Sequence, residues 1–585
     1  MNLFRSSIIS LIVFTYLLGI DIKGDPKSWS ENHFLGFDLI GDSSFETGDI
    51  SSAFAELDND NLYLRITFDD MFSRFNKKDL FKNHDISARI LISERDITII
   101  DQMVEISSIS KSDDSYEFLR TPNYNLIEFQ FECPENLNKK ELLFKVQIIN
   151  QEQIIDEYIA YGNNDYRGGN AAFIHHGNQG LTYSEVFYGQ EPLESSGFDE
   201  ILEIHQETGI PGNFHLSGTL MPAAEWHNPE FNDWLSSGVN DGYVAMMTSA
   251  LGQHMMPFVT NDMNNWSVSI ETDMVEYMYG YSPKVAWVPE RVWLSPGVYP
   301  DAGVIDWIGD NWHEHGVEAV VLDDYIHCPG ADNKKIHYMN NDDGINLRII
   351  PIDNDFVGMM HYDADAAKNH ISSTGQYGLT VYGTDWEVAA EMNEHHETSF
   401  LDNYENVIWF CYDNFPAVNI WKLDAALYNS DFNGSGIDVQ NGTYGLLGGT
   451  DGYGGGNNSW YTNWAAAGSH SDFHDPQWNY GTVWNDAYNN LMSAPNNSLS
   501  QLGWYTLMIN LHETGWHDGG EIAGWEHRYS SHIKNANVYA EAARWANGDF
   551  TESTAAFFSD IDHDGGEELV IHNDRTFFVF EGIGG

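Results

Sequence analysis

The chain has 585 residues, enough for two to four domains, and 42% are apolar, so a sizeable core is available and wholesale disorder is excluded. It carries 27 basic against 88 acidic residues, a formal net charge of −61, which repels nucleic acid and anionic lipid because both bind through basic patches. Three cysteines, Cys133, Cys328 and Cys411, leave no disulfide framework and no CxxC pair for zinc.

In "MNLFRSSIISLIVFTYLLGIDIKG" one Arg5 precedes an apolar run from Ile8 to Ile20, too short for a comfortable membrane span. Residues 1–22 read as a secretory signal, which implies a secreted protein; an uncleaved anchor is the alternative. From about Trp29 to Tyr161 the text is strand-like. "SSAFAELDNDNLYLRITF" alternates, turns at "DNDN" and alternates again, and "ARILISE", "LIEFQFEC" and "LLFKVQII" continue in short runs. A β-sandwich over residues 28–165 is expected. "DNDNLYLRITF" resembles strand pairs of carbohydrate-binding modules; a purely structural β domain is the equal alternative.

After "NDYRGGN" short apolar runs alternate with helical stretches. The runs are "AAFIHHGNQ", "GNFHLSG", "GYVAMMTSA", "KVAWVPE", "EAVVLDD", "LRIIPID" and "LTVYGTD". Between them lie pieces such as "GFDEILEIHQETG" and "VIDWIGDNWHEHG", which end at glycine as helix C-termini often do. Such alternation implies parallel strands with right-handed crossovers, and seven units imply a closed α/β barrel over residues 168–498. "NVIWFCYD" is a candidate eighth strand. Nearly every run ends in a polar cluster: His175 and His176, His215, Glu290, Asp323 and Asp324, Asp353, Asp385. Barrel enzymes place catalytic groups at these C-terminal strand ends.

Residues 499–548 are mostly helical by spacing, with core packing the default role for their apolar residues. The glycine-rich "GLLGGTDGYGGGNNSWYTNW" lacks the Walker lysine, so a phosphate cradle is not expected. In residues 549–585, Asp560, Asp562 and Asp564 with Gly565 resemble the first half of a calcium loop. A helix–loop–helix site wants glutamate twelfth, and that position is Ile571. A structural calcium held by Asp560, Asp562, Asp564 and Glu568 before a β domain is the expectation, a solvated acidic turn the alternative.

Two carboxylates compete for the central role, Glu290 and Asp385. Glycoside hydrolysis needs such a pair: one protonates the leaving oxygen, and in retaining enzymes the other attacks the anomeric carbon. Trp287, Trp293 and Trp386 flank them, and sugar rings stack on indoles. Arg291 and Glu387 are placed to hold hydroxyls or to tune the carboxylates by charge. The structural alternatives are an ion pair for Glu290 and a helix cap for Asp385. His175, His176 and His215 at the rim leave a metal site as a further alternative.

"WVPERVW" and "GTDWE" resemble the nucleophile and acid/base motifs of glycoside hydrolase family 57. The likeness is collinear from Ala171 to Met392, and "FHLSGTLMPAAEWHNPEFNDWL", "GVEAVVLDDY" and "IIPID" resemble its branch of 4-α-glucanotransferases and α-amylases. "LHETGWHD", which holds Trp516 and His517, resembles its last motif. The resemblance implies a (β/α)7-type barrel with a C-terminal helical region, the latter completing the cleft, and retaining action on α-glucans with no catalytic cofactor. It implies Glu290 as nucleophile and Asp385 as general acid/base. Glu387, Trp287 and Trp516 match subsite positions, and His175, His215, Trp293, Asp324, Trp386, Arg291 and His517 join the expected substrate-binding set. The partner is then an α-glucan, with no nucleic acid and no membrane contact beyond the signal.

Two departures stand out. The family's His-Gln-Pro motif reads "HHGNQG", with His175 best aligned, and "GYVAMM" has Ala245 where the family carries a glutamate. The resemblance therefore leaves three outcomes: an α-amylase-like hydrolase, a 4-α-glucanotransferase with the same double displacement, or a catalytically silent glucan-binding protein.

The acidic surface also matches a protein adapted to high salt, where repulsion is screened. The Debye length reaches about 30 Å at 0.01 M salt, so self-repulsion should destabilise the fold there. Thermal unfolding from low to molar sodium chloride should show a rising midpoint. A flat profile in chelated buffer would reject this origin of the charge.

Overall fold

The computed structural model describes residues 22, 29, 33–38, 50–58, 61–68, 86–94, 97–106, 110–112, 116–121, 126–134, 137–151, 153–161, 169–178, 186–189, 197–254, 256, 259–293, 308–340, 347–375, 377–390, 400–414, 418–440, 442–443, 480–510, 517–518, 521–522 and 532–582. The expected signal segment, Ile22 apart, and the glycine-rich loop at 445–464 lie outside them. No described helix is long and apolar enough to cross a bilayer.

Between Phe34 and Tyr161 the described strands are antiparallel and form one six-stranded and one four-stranded sheet. The alternation seen in the sequence has a plain cause. Ile86, Ala88, Ile90 and Ile92 of one sheet and Leu62, Leu64, Ile66 and Phe129 of the other enter a single apolar cluster. Asp156 Oδ2 accepts a hydrogen bond from the Ile50 amide at 2.6 Å, a second tie between the sheets.

Seven parallel strands follow: Gly169–Gly177, Val244–Met246 and Gly212–Leu216 in one sheet with Thr380–Asp385, and Val285–Trp287, Ala319–Asp323 and Arg348–Ile352 in another. Main-chain bonds join the two sheets at both seams. Thr248 N donates to Val285 O at 3.2 Å and Trp287 N to Thr248 O at 2.9 Å. At the other seam Asp353 N donates to Val381 O at 3.0 Å. The seven strands therefore follow one another in cyclic order.

Their residues alternate between two apolar layers. Ala172, Ile174, Val285, Trp287, Val321, Ile350, Ile352 and Val381 share the inner cluster. Ala171, Phe173, Phe214, Met246 and Tyr382 pack outward against helices. Gly383 is the small residue opposite a large one: a Cβ there would lie 3.1 Å from Ile352 and 3.5 Å from Trp287.

"NVIWFCYD" is not a strand. It belongs to the helix Phe400–Asp413, whose Tyr404, Val407, Ile408 and Cys411 bury one face at helical spacing. The added strand is Val418–Ile420, paired with the start of the first parallel strand.

The described helices beyond the barrel-like array are Tyr480–Ser493, Ser498–Ile509 and Asn535–Ala546. Asn497 caps the second of these through a capping box with Ser500. The acidic loop lies inside a three-stranded antiparallel sheet, between Ala555–Ser559 and Glu568–His572, with Phe577–Phe580 last. The sequence showed only the pair after the loop.

Candidate active site

Parallel register decides which strand-end residues share a face. His176 lies opposite Asp385 on one side and His215 on the other. These three therefore point inward, and His175 points outward. The inward rings form a stack. His176 lies on His215 with centroids 4.7 Å apart, and on Trp287 at 4.5 Å. The Arg291 guanidinium covers Trp287 at 5.1 Å from the ring centroid. His215 Nε2 meets Glu271 Oε1 at 2.6 Å, both fully buried, and Arg291 Nε meets Asp323 Oδ2 at 3.0 Å. A layer of rings thus runs between two carboxylates beneath the strand ends.

Arg291 stands at one end of this layer, and Glu290 precedes it in the chain. The short 3-10 turn Pro289–Arg291 follows the strand Val285–Trp287 and holds both residues in the left-handed region, at φ 50° and 46°. Such a conformation costs on the order of 1–3 kcal/mol for each residue with a Cβ and persists only where its surroundings enforce it. Here Thr443 Oγ1 donates to the Glu290 carbonyl at 2.6 Å, and Trp293 pairs through its backbone with Gly442. The segment 442–443 so straps the turn. Glu290 keeps 8% exposure.

Asp385 ends the seventh strand and precedes the helix Trp386–Ala389 without capping it by its side chain. It is partly open at the rim yet deep in the protein. Burial raises its carboxyl above the ordinary range; Arg291 pulls it down and Asp323 pushes it up, and the upward shift prevails. A carboxyl that binds its proton more tightly than usual, beside a charged network, is suited to donate a proton.

Several expectations need correction. His175 is fully buried on the helix side, where its Nε2 meets Tyr404 Oη at 2.7 Å and His205 Nε2 meets the same hydroxyl at 2.6 Å. Burial keeps both imidazoles neutral, with His205 lowered to about 4. His205 Nδ1 donates to Ile210 O, so Tyr404 donates to His205 and accepts from His175. His175 is a strand-to-helix link, and the inward histidine is His176. Trp293 and Trp386 present no face to a sugar. Trp293 is fully buried among Ala286, Val288 and Trp312, and Trp386 lies flat on Phe198 at 4.5 Å. Trp287, buried between His176 and Arg291, supports the site from below. His215, committed to Glu271, does likewise.

Asp324 is turned toward Asn333 and Asn354, which donate to it at 2.8 Å each; Asp323 is the residue that reaches Arg291. Asp353 is structural. It caps the helix Asn354–Tyr362 and takes bonds from His370 and Thr380. Burial works to raise its carboxyl, but those bonds hold it below the usual value. Glu387 is half-buried in the first turn after Asp385. Trp516 lies outside the described residues, and His517 is described only as backbone in a two-residue strand. Among the described residues, the clusters suited to hold a metal lie at 560–581, not at these strand ends.

The sequence named His176 and Asp323 only among the polar strand ends, outside the expected substrate-binding set, and it gave no sign of Glu271. Alternation in "AAFIHHG" would separate His175 from His176 only if one face were polar, and both faces are apolar. Glu271 sits on the helix Asn261–Tyr279, and nothing local ties it to His215.

Residues 68–408 match the family model described as glycosyl hydrolase family 57. The chain is 26% identical to the 4-alpha-glucanotransferase of Thermococcus litoralis over 180 residues, 30% of this chain and 25% of that protein. It is 27% identical to an alpha-amylase of Pyrococcus abyssi over 160 residues, 27% of this chain and 22% of that protein. The chain so spans about a quarter of the length of these curated relatives. Among solved structures it is similar to the Thermococcus litoralis 4-alpha-glucanotransferase, with a TM-score of 0.46 and 17% identity, covering 70% of this chain and 63% of that one.

Proposed function

Because this chain belongs to glycosyl hydrolase family 57, we propose that it is a secreted, retaining glycoside hydrolase acting on α-glucans in the manner of an α-amylase. The observation that carries the reading is the Asp385 carboxyl, raised by burial, on the same inward face as the ring layer that ends at Arg291, the residue after Glu290. Asp385 gives its proton to the glycosidic oxygen while the Glu290 carboxylate attacks the anomeric carbon. The bond to the leaving sugar breaks and a glycosyl ester on Glu290 forms. Asp385, now ionised, takes a proton from water, which attacks the same carbon and frees Glu290. Arg291, held by Asp323, offsets the charge that Asp385 acquires. Glu387, half-buried beside Asp385, is placed for a sugar hydroxyl.

In this reading residues 168–498 form a (β/α)7-type barrel, which the bonded seams support, and residues 28–165 a β-sandwich, which the core shared by two sheets supports. An acceptor hydroxyl in place of water would make the same cycle a 4-α-glucanotransferase. One residue favours a silent glucan-binding protein instead. Ala245 lies opposite Asn213, two residues before His215, so it shares the inward face and offers no polar group there. Incubation with a maltooligosaccharide decides among the three. Release of reducing ends with retained configuration is expected. Redistributed chain lengths without new reducing ends would mean a transferase, and depletion without product would overturn the enzymatic reading.

A further inference from the structure

The geometry points to a calcium site in the loop between Ala555–Ser559 and Glu568–His572, anchored by the buried carboxylates of Asp562 and Glu568. Carboxylate oxygens of Asp560, Asp562 and Asp564 lie within 4.8 Å of one another, and so do those of Asp562, Glu568 and Glu581. Asp562 belongs to both groups. Acidic clusters are common on a chain of charge −61, and proximity alone would carry little.

The independent observation is Glu568. It is only 2% exposed. Its Oε2 accepts the Ile561 amide at 2.8 Å, while Oε1 is buried without a hydrogen-bond partner. A carboxylate oxygen stripped of water and given no donor is costly, and burying a charge is sustained only by a counter-charge. Asp562, 4% exposed, adds a second buried carboxylate beside it. The Lys534 ammonium contacts Asp562 Oδ2 at 2.8 Å and Asp564 Oδ2 at 2.7 Å, so it serves the Asp564 side of the cluster. The Glu568 side has the matching need.

The ligand chemistry selects the ion. The available atoms are hard carboxylate and carbonyl oxygens from a turn with His563 and Gly565 at positive φ. Calcium takes six to eight oxygens in loose geometry, whereas magnesium requires a tight octahedron. Asp562 and Glu568 anchor the cation, and Asp560, Asp564 and Glu581 complete its shell.

The site has a structural consequence. Asn537 Nδ2 donates to Asp562 O at 3.0 Å, and His563 Nδ1 meets Asp486 Oδ2 at 2.5 Å. The loop is therefore seated on the helices Tyr480–Ser493 and Asn535–Ala546, and a cation there would fasten the terminal sheet to them.

The test is calorimetric titration of the full chain, stripped with chelator, in 0.5 M sodium chloride to screen diffuse binding to the acidic surface. Calcium chloride should fill one saturable site per chain, at least tenfold tighter than magnesium chloride. Glu568→Gln should weaken that site tenfold or more with the far-ultraviolet circular dichroism unchanged. Lys534→Gln should tighten it several-fold, because the ammonium competes for Asp562 and Asp564 oxygens. Parent-like affinity in Glu568→Gln overturns the site. If that variant does not fold, unchanged or weaker calcium binding in Lys534→Gln overturns it instead. Neither result bears on Glu290 or Asp385.

Discussion

Glu290→Gln is expected to lower turnover on α-glucan by several orders of magnitude while leaving the fold intact. The amide has the shape of the carboxylate but cannot form the glycosyl ester, so the covalent step is lost. The fold should survive because the turn is held by main-chain contacts. Thr443 grips the Glu290 carbonyl, and the Trp293–Gly442 pairing fixes the chain just after the turn. The left-handed backbone at Glu290 and Arg291 is equally available to glutamine. Steady-state rates and a thermal midpoint measured together check this. An unaltered rate would remove Glu290 from the reaction; a collapsed midpoint would show that the side chain, too, holds the turn.

Asp385→Asn should have the second largest effect, and it has two separable signatures. Activity on natural linkages should be abolished, because their leaving oxygen requires a proton. Activated aryl glycosides, if accepted as substrates, should partly retain the first step, since a good leaving group needs less protonation. Loss that is equal for good and poor leaving groups would count against an acid role.

The other signature is stability against pH. Burial raises the Asp385 carboxyl in the folded state above its ordinary value of 3.8. Its contribution to stability is then fully present below 3.8 and is lost as pH rises through the raised folded value. The parent should weaken across that window relative to Asp385→Asn, so the variant should be the more stable protein at neutral pH. Denaturant midpoints measured from pH 3 upward, read as the difference between parent and variant, test this without any substrate. A difference that does not change with pH would mean the carboxyl is not raised.

Only part of the site was legible in advance, and particular residues show why. Glu290 and Asp385 could be placed at strand ends because each closes an apolar run, and a run's end is a local property of the chain. The same holds for the alternation of strands and helices. Ile86, Ala88, Ile90 and Ile92 advertise a half-buried strand by period alone, and all four enter the apolar cluster of the two antiparallel sheets. The sequence by itself therefore determined the alternation of strands and helices and the places of the carboxylates at the ends of their runs.

What it left open was parity and distance. A parallel strand buried on both faces carries apolar residues at every position, so nothing in "AAFIHHG" tells His175 from His176; pairing with the neighbouring strands does. "NVIWFCYD" is too short and too apolar to declare its period, and the helical packing of Tyr404, Val407 and Cys411 settled it. Trp293 and Trp386 looked like sugar platforms because they lie near the carboxylates in sequence, but Trp293 packs among Ala286, Val288 and Trp312 and Trp386 on Phe198, so both indoles entered the core. Glu271 meets His215 across 56 positions, and Asp323 meets Arg291 across two strand ends. Such contacts follow from how strands register and helices pack over them, so only the tertiary structure decided them.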